Sequence, residues 1–160
     1  MSESDAQSPP IDLGNRLGAD DGFSTQCFAL YVPNKDKNDQ EYGHQRRWVL
    51  DAIRLLSEIN GGATAIPVEG GWVDNSGQII LEQPVIVYSL IKTEPFVSNL
   101  QRVREFLHRM GRETNQGENA FEIDGQFQSV RHVEGHKENE KLVEAIARKL
   151  VASVGIEHPG

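Results

Sequence analysis

Cysteine is nearly absent: Cys27 stands alone in a chain of 160 residues. One thiol closes no internal disulfide and builds no Cys-rich zinc site, which fits a reducing compartment. Long apolar runs are missing as well. None approaches the ~20 residues of a membrane-spanning helix, and the N-terminus lacks the basic start and apolar stretch of a secretory leader. Together these absences predict a cytoplasmic protein with no membrane partner. Positive charge is scarce too, with 16 lysines and arginines against 24 acids and a net charge of -8. Bulk charge of that sign repels a phosphate backbone, so nucleic acid is not an expected partner. Fixed-spacing enzyme signatures are also lacking: there is no Gly-x-x-x-x-Gly-Lys-Ser/Thr cradle, no Gly-x-Ser-x-Gly elbow and no His-Glu-x-x-His pair. No cofactor and no metal is therefore expected, and the balance leans away from an enzyme.

What is present is a chain of one-domain size, 38% hydrophobic and 25% charged. Residues 1–24 read as a disordered acidic tail, since Glu3, Asp5, Asp12, Asp20 and Asp21 face Arg16 alone and Pro9-Pro10 forbids regular pairing. Residues 25–160 read as a single α+β domain. The run Cys27-Phe28-Ala29-Leu30-Tyr31-Val32 predicts a buried strand closed by Pro33-Asn34. Trp48, Ala52, Leu55, Leu56 and Ile59 recur at helical spacing over 42–60, with Gly61-Gly62 as the stop. Residues 63–73 and 78–91 read as a hairpin around Asp74-Asn75-Ser76-Gly77, with Pro67 and Pro84 marking an edge or bulge.

A second helix opens at Thr93-Glu94-Pro95, carries Phe96, Leu100, Val103, Leu107 and Met110 on one stripe, and is expected to close at Gly111. Asp124-Gly125 joins two further strands, 120–123 and 126–130. Leu142, Ile146 and Leu150 predict a last helix over 138–154. The order β-α-β-β-α-β-β-α begins with the split plan of the ferredoxin-like fold: an antiparallel sheet with two helices on one face, here with an added C-terminal hairpin strand and a C-terminal helix. The uncovered face is expected to seek a partner, so a homodimer is expected.

The run Gly111-Arg112-Glu113-Thr114-Asn115-Gln116-Gly117-Glu118, followed by an alternating strand, resembles segments of small bacterial proteins of uncharacterised function, over about residues 27–133. That resemblance implies no activity. The element order is also remotely similar to that of nitrogen-regulatory signalling proteins, but their nucleotide-binding loop has no counterpart here and no residue roles carry over.

Within this frame the leading candidate site is the polar run Arg112, Glu113, Thr114, Asn115 and Gln116, where a helix hands over to a strand. Arg112 suits a carboxylate or phosphate, Glu113 a proton or cation, and the two amides both donors and acceptors. Against this stands the plainer role of capping the helix and fixing the turn. Glu69-Gly70-Gly71-Trp72 is a second candidate, with the indole as a platform and Glu69 as its charged companion, or else a bulge beside an interface aromatic. Arg102, Arg104, His108, Arg109 and Arg112 make the second helix basic, but they flank its apolar stripe on two sides rather than forming one comb. His132 and His136 lack a clear third ligand, and Tyr42 and His44 are looser still.

The expected function is a non-catalytic interaction or regulatory module binding a small polar ligand or a protein partner. The alternatives are a small metal-assisted phosphodiesterase or nuclease on a ferredoxin-like dimer, using Asp36 or Glu113, and an acidic inhibitor or immunity-type protein for a basic partner.

Overall fold

The computed structural model describes residues 13–19, 24, 26–131 and 145–150. Its centre is β1 (Cys27–Val32), in which Phe28, Leu30 and Val32 are buried while Cys27, Ala29 and Tyr31 turn to the opposite face. Side chains alternate along a strand, so this segment divides itself between core and exterior. Strand β1 pairs antiparallel with β5 (Val85–Leu90) on one side and β6 (Glu118–Ile123) on the other. Strand β2 (Thr64–Pro67) borders β5, and β7 (Gln126–Arg131) borders β6, giving the order β2-β5-β1-β6-β7. Opposite Leu30 lie Val87 and Phe121, so apolar side chains form continuous rows across the sheet. The order β2-β5-β1-β6 is that of the ferredoxin-like plan, and β7 is the added strand.

Two long helices cover the core face. Helix α2 (Gln45–Asn60) buries Trp48, Val49, Ala52, Leu56 and Ile59, a spacing that keeps one stripe inward. Helix α4 (Leu100–Glu113) buries Val103, Phe106, Leu107 and Met110, and a short α3 (Thr93–Ser98) precedes it with Phe96 fully buried. Burying each large side chain contributes about 1.5–3 kcal/mol. The helical stretch 145–150 adds Leu150, 2% exposed, to the same core.

Several boundaries differ from expectation for local reasons. Helix α2 starts at Gln45 rather than 42, because Gly43 holds a left-handed φ of 74°. The 63–91 hairpin is divided: β2 joins the main sheet, while β3 (Gly70–Val73) and β4 (Ile79–Glu82) form a separate two-stranded ribbon. Pro67 and Pro84 have no N–H to continue the ladder, and a hydrogen bond from Val68 N to the Pro84 carbonyl, 3.0 Å, bridges the gap. The second helix is two helices, since the Asn99 side chain donates to the Pro95 carbonyl at 2.8 Å and breaks the turn. Gly111 does not end α4; it lies buried within it, and the positive φ falls instead on Asn115, at 53°. Leu13–Arg16 is a short helix, α1, inside the expected tail. His132 and His136, most of the expected last helix and most of that tail lie outside the described residues.

Candidate functional site

The polar run at the end of α4 folds back on the protein. Thr114 is 1% exposed, and its hydroxyl donates to the Met110 carbonyl at 2.7 Å. Asn115 donates from Nδ2 to Asp36 Oδ2 at 3.0 Å, and Gln116 donates from Nε2 to the Lys35 carbonyl at 2.7 Å. The other Asp36 oxygen accepts the backbone N–H groups of Asn38 and Gln40. These bonds, the Asn115 amide foremost, hold the Asp36 carboxyl below the usual carboxylate range. Asp36 and the two amides thus act as a clip between the 33–41 loop and the end of α4. Glu113 is exposed at the last turn, and Arg112 points away from the clip into a groove between the helices.

Glu69 and Trp72 sit on or beside the β3–β4 ribbon. The indole Nε1 donates to Glu82 Oε1 at 3.2 Å, so its charged companion is Glu82 and not Glu69. A Cβ at Gly71 would fit tightly, 3.1 Å from the Ile80 carbonyl and from the end of the Leu81 side chain. The ribbon is tied to the same 33–41 loop, through Lys35 Nζ to the Leu81 carbonyl and Gln83 N to Asn34 Oδ1. The two candidate segments therefore share one supporting loop at one end of the sheet. Most of the ribbon's apolar side chains are exposed, Trp72 by 53%, Val73 by 62%, Ile79 by 64% and Leu81 by 55%, while Ile80 is half-buried.

Helices α2 and α4 run antiparallel, Glu58 facing Arg102 and Trp48 facing Phe106. Between them lies an open groove of about 520 Å³, lined by Asp51, Arg54, Glu58, Arg102, Arg109 and Arg112 among others. Arg102 pairs with Glu58 at 2.5 Å. The Arg109 guanidinium lies over the Trp48 ring at 5.4 Å and the Phe106 ring at 5.9 Å, which fixes its direction without neutralising it. Among the described residues, no carboxylate lies within ion-pair distance of Arg54, Arg109 or Arg112. Sequence reasoning placed Arg102 and Arg109 on one side of their helix, as found. It missed Arg54, whose place beside them depends on how α2 packs on α4.

The sheet's other face is apolar across its middle. Cys27, Ala29 and Tyr31 of β1 stand beside Leu90, Tyr88 and Ile86 of β5, with Ile66 of β2 beyond and Phe127 of β7 at the opposite side. Ile66, Leu90 and Phe127 are exposed by 45%, 56% and 64%. The charge nearest the centre is Glu122, which accepts the Tyr31 hydroxyl; that bond, with burial, pushes the tyrosine pKa up to about 12. Burial, and then the Asp124 and Glu122 carboxylates, raise the Cys27 thiol pKa. Among the described residues no group of three His, Cys, Asp or Glu side chains could hold a metal ion, and no helix is long and apolar enough to cross a membrane.

No protein-family model and no curated protein matches the chain. Among solved structures it is similar to a phage SAM lyase in complex with S-methyl-5'-thioadenosine, with 17% identity and a TM-score of 0.48 over 69% of this chain and 92% of that one. It is likewise similar to a phage SAM lyase in the apo state, with 18% identity and a TM-score of 0.49 over 73% and 96% of the two chains. At these values the likeness is one of general chain course, and the bound ligand is a property of the lyase.

Proposed function

We propose that this protein is a non-catalytic interaction module that assembles on itself through the open face of its sheet and leaves its helical face for a small polar ligand or a protein partner. The observation that carries this reading is an apolar, nearly uncharged sheet face on a chain of net charge -8. Two copies of so acidic a protein repel one another unless their contact surfaces are free of charge, and this is the surface from which charge has been withdrawn. Glu122 lies there with its carboxylate engaged by Tyr31, while Glu118 and Arg131 approach each other at the outer strands, 3.8 Å apart.

The dimensions suit a second copy. Four six-residue strands about 20 Å long and one four-residue strand about 13 Å long, spaced about 4.8 Å apart, give a flat footprint of roughly 450 Å². Two such faces approach the roughly 1,000 Å² that a specific interface requires, before side-chain relief is counted. The β3–β4 ribbon adds to that area. A two-stranded ribbon is marginal on its own, and exposing Trp72 on one face and Val73, Ile79 and Leu81 on the other suits an arm lying against a neighbour.

Sedimentation equilibrium tests the reading. The full chain is expected to be dimeric at micromolar concentration, and Leu90→Glu and Phe127→Glu are each expected to give a folded monomer with an unchanged far-ultraviolet circular dichroism spectrum. A chain that stays monomeric to millimolar concentration, or a dimer indifferent to both substitutions, would overturn it.

A further inference from the structure

The arginines are unevenly distributed. Seven of the ten in the sequence, Arg46, Arg47, Arg54, Arg102, Arg104, Arg109 and Arg112, lie on α2 and α4, and neither helix contains a lysine. Against them these helices carry Asp51, Glu58, Glu105 and Glu113, so this face is positive on a strongly acidic protein. Helix stability does not explain the pattern. The first turn of each helix contains arginine and no acid, the reverse of what the helix dipole favours. Nor does surface pairing explain it, because Arg54, Arg109 and Arg112 enter the groove with no carboxylate at ion-pair distance among the described residues.

We infer that the α2–α4 groove binds a compact, phosphate-bearing anion of small-molecule size. Guanidinium is the group that forks onto phosphate oxygens through paired N–H donors, which accounts for arginine to the exclusion of lysine. Arg109 is held in direction by Trp48 and Phe106, so part of the ordering cost is met before any ligand arrives. The groove volume of about 520 Å³ lies within the range of small-ligand sites. Asp51 and Glu105 along the same groove offer acceptors for hydroxyl or amino groups attached to the phosphates. A long polyanion fits less well. It would run past the groove onto a surface whose overall charge is negative, where each further phosphate is repelled.

Isothermal titration calorimetry of the full chain with inorganic tripolyphosphate, and separately with ATP, tests this at low ionic strength. Saturable binding at one site per chain is expected. Arg54→Gln combined with Arg112→Gln removes two charge-assisted contacts and is expected to weaken binding by about tenfold or more, with the melting temperature little changed. Glu58→Gln releases Arg102 from its ion pair and is expected to tighten binding, a gain that a purely structural role for these residues would not produce. No measurable heat with either probe, or an affinity unmoved by both changes, overturns the assignment. So does a single-stranded RNA that binds more tightly than tripolyphosphate and loses affinity in the same arginine variant, because the groove would then serve nucleic acid.

Discussion

Replacing Asn115 by alanine and, separately, by glycine separates the cost of its left-handed backbone from the cost of its lost amide, and with Gln116→Ala tests whether the 112–116 run is a structural clip. Both substitutions delete the amide that donates to Asp36, so that loss cancels between them. What differs is the backbone. At φ 53° a Cβ without a polar side chain costs about 1–2 kcal/mol, while glycine carries about 0.4–1 kcal/mol of additional unfolded-state entropy. The glycine variant is therefore expected to be the more stable by about 0.5–1 kcal/mol, read as a shift in the urea midpoint at constant slope. Gln116→Ala, which removes the donor to the Lys35 carbonyl, is expected to cost about 1 kcal/mol in the same assay. An Asn115→Gly variant as stable as the unaltered chain, together with an unaltered midpoint for Gln116→Ala, would refute the clip and return these side chains to the role of ligand contacts.

Asn60 is 5% exposed, donates from Nδ2 to Ser89 Oγ at 3.1 Å and accepts the Lys92 N–H at 3.2 Å. Asn60→Ala strands the Lys92 donor and is expected to cost about 2–3 kcal/mol by chemical denaturation; a loss below about 1 kcal/mol would contradict the bonding described. Asp36 has its pKa lowered in the folded protein, so its contribution is present above the unfolded value of about 3.9 and is lost as pH falls through the folded value. Protection of the 36–40 amides, taken relative to their intrinsic exchange rates, is accordingly expected to fall below about pH 4. Asp36→Asn is expected to abolish that pH dependence, and its persistence in the variant would show that another group is responsible.

Much of the scaffold follows from patterns confined to short stretches. The alternation in Cys27–Val32, the helical stripe from Trp48 to Ile59 and the Asp124-Gly125 turn, both of whose φ angles are positive, are local facts. Each specifies an element before anything packs on it. The two prolines marked an edge or bulge within the expected hairpin, and the structure divides it there. Breaks set by a competing side chain were harder to see, because the Asn99 bond to the Pro95 carbonyl depends on a rotamer that the letters do not encode. Gly111 misled for a related reason: glycine is permitted a left-handed end but not obliged to supply one, and burial keeps it helical while Asn115 makes the turn.

The sequence by itself determined most of the elements, their α+β class and the division of the central strand between core and exterior. Only the tertiary structure decided what the polar residues do with one another. Asn115 meets Asp36 across 79 positions and Arg102 meets Glu58 across 44, and Arg54 joins Arg109 and Arg112 only because two helices pack side by side. Periodicity along a chain fixes the direction in which a side chain faces; which distant side chain it finds there depends on how the elements are laid against each other.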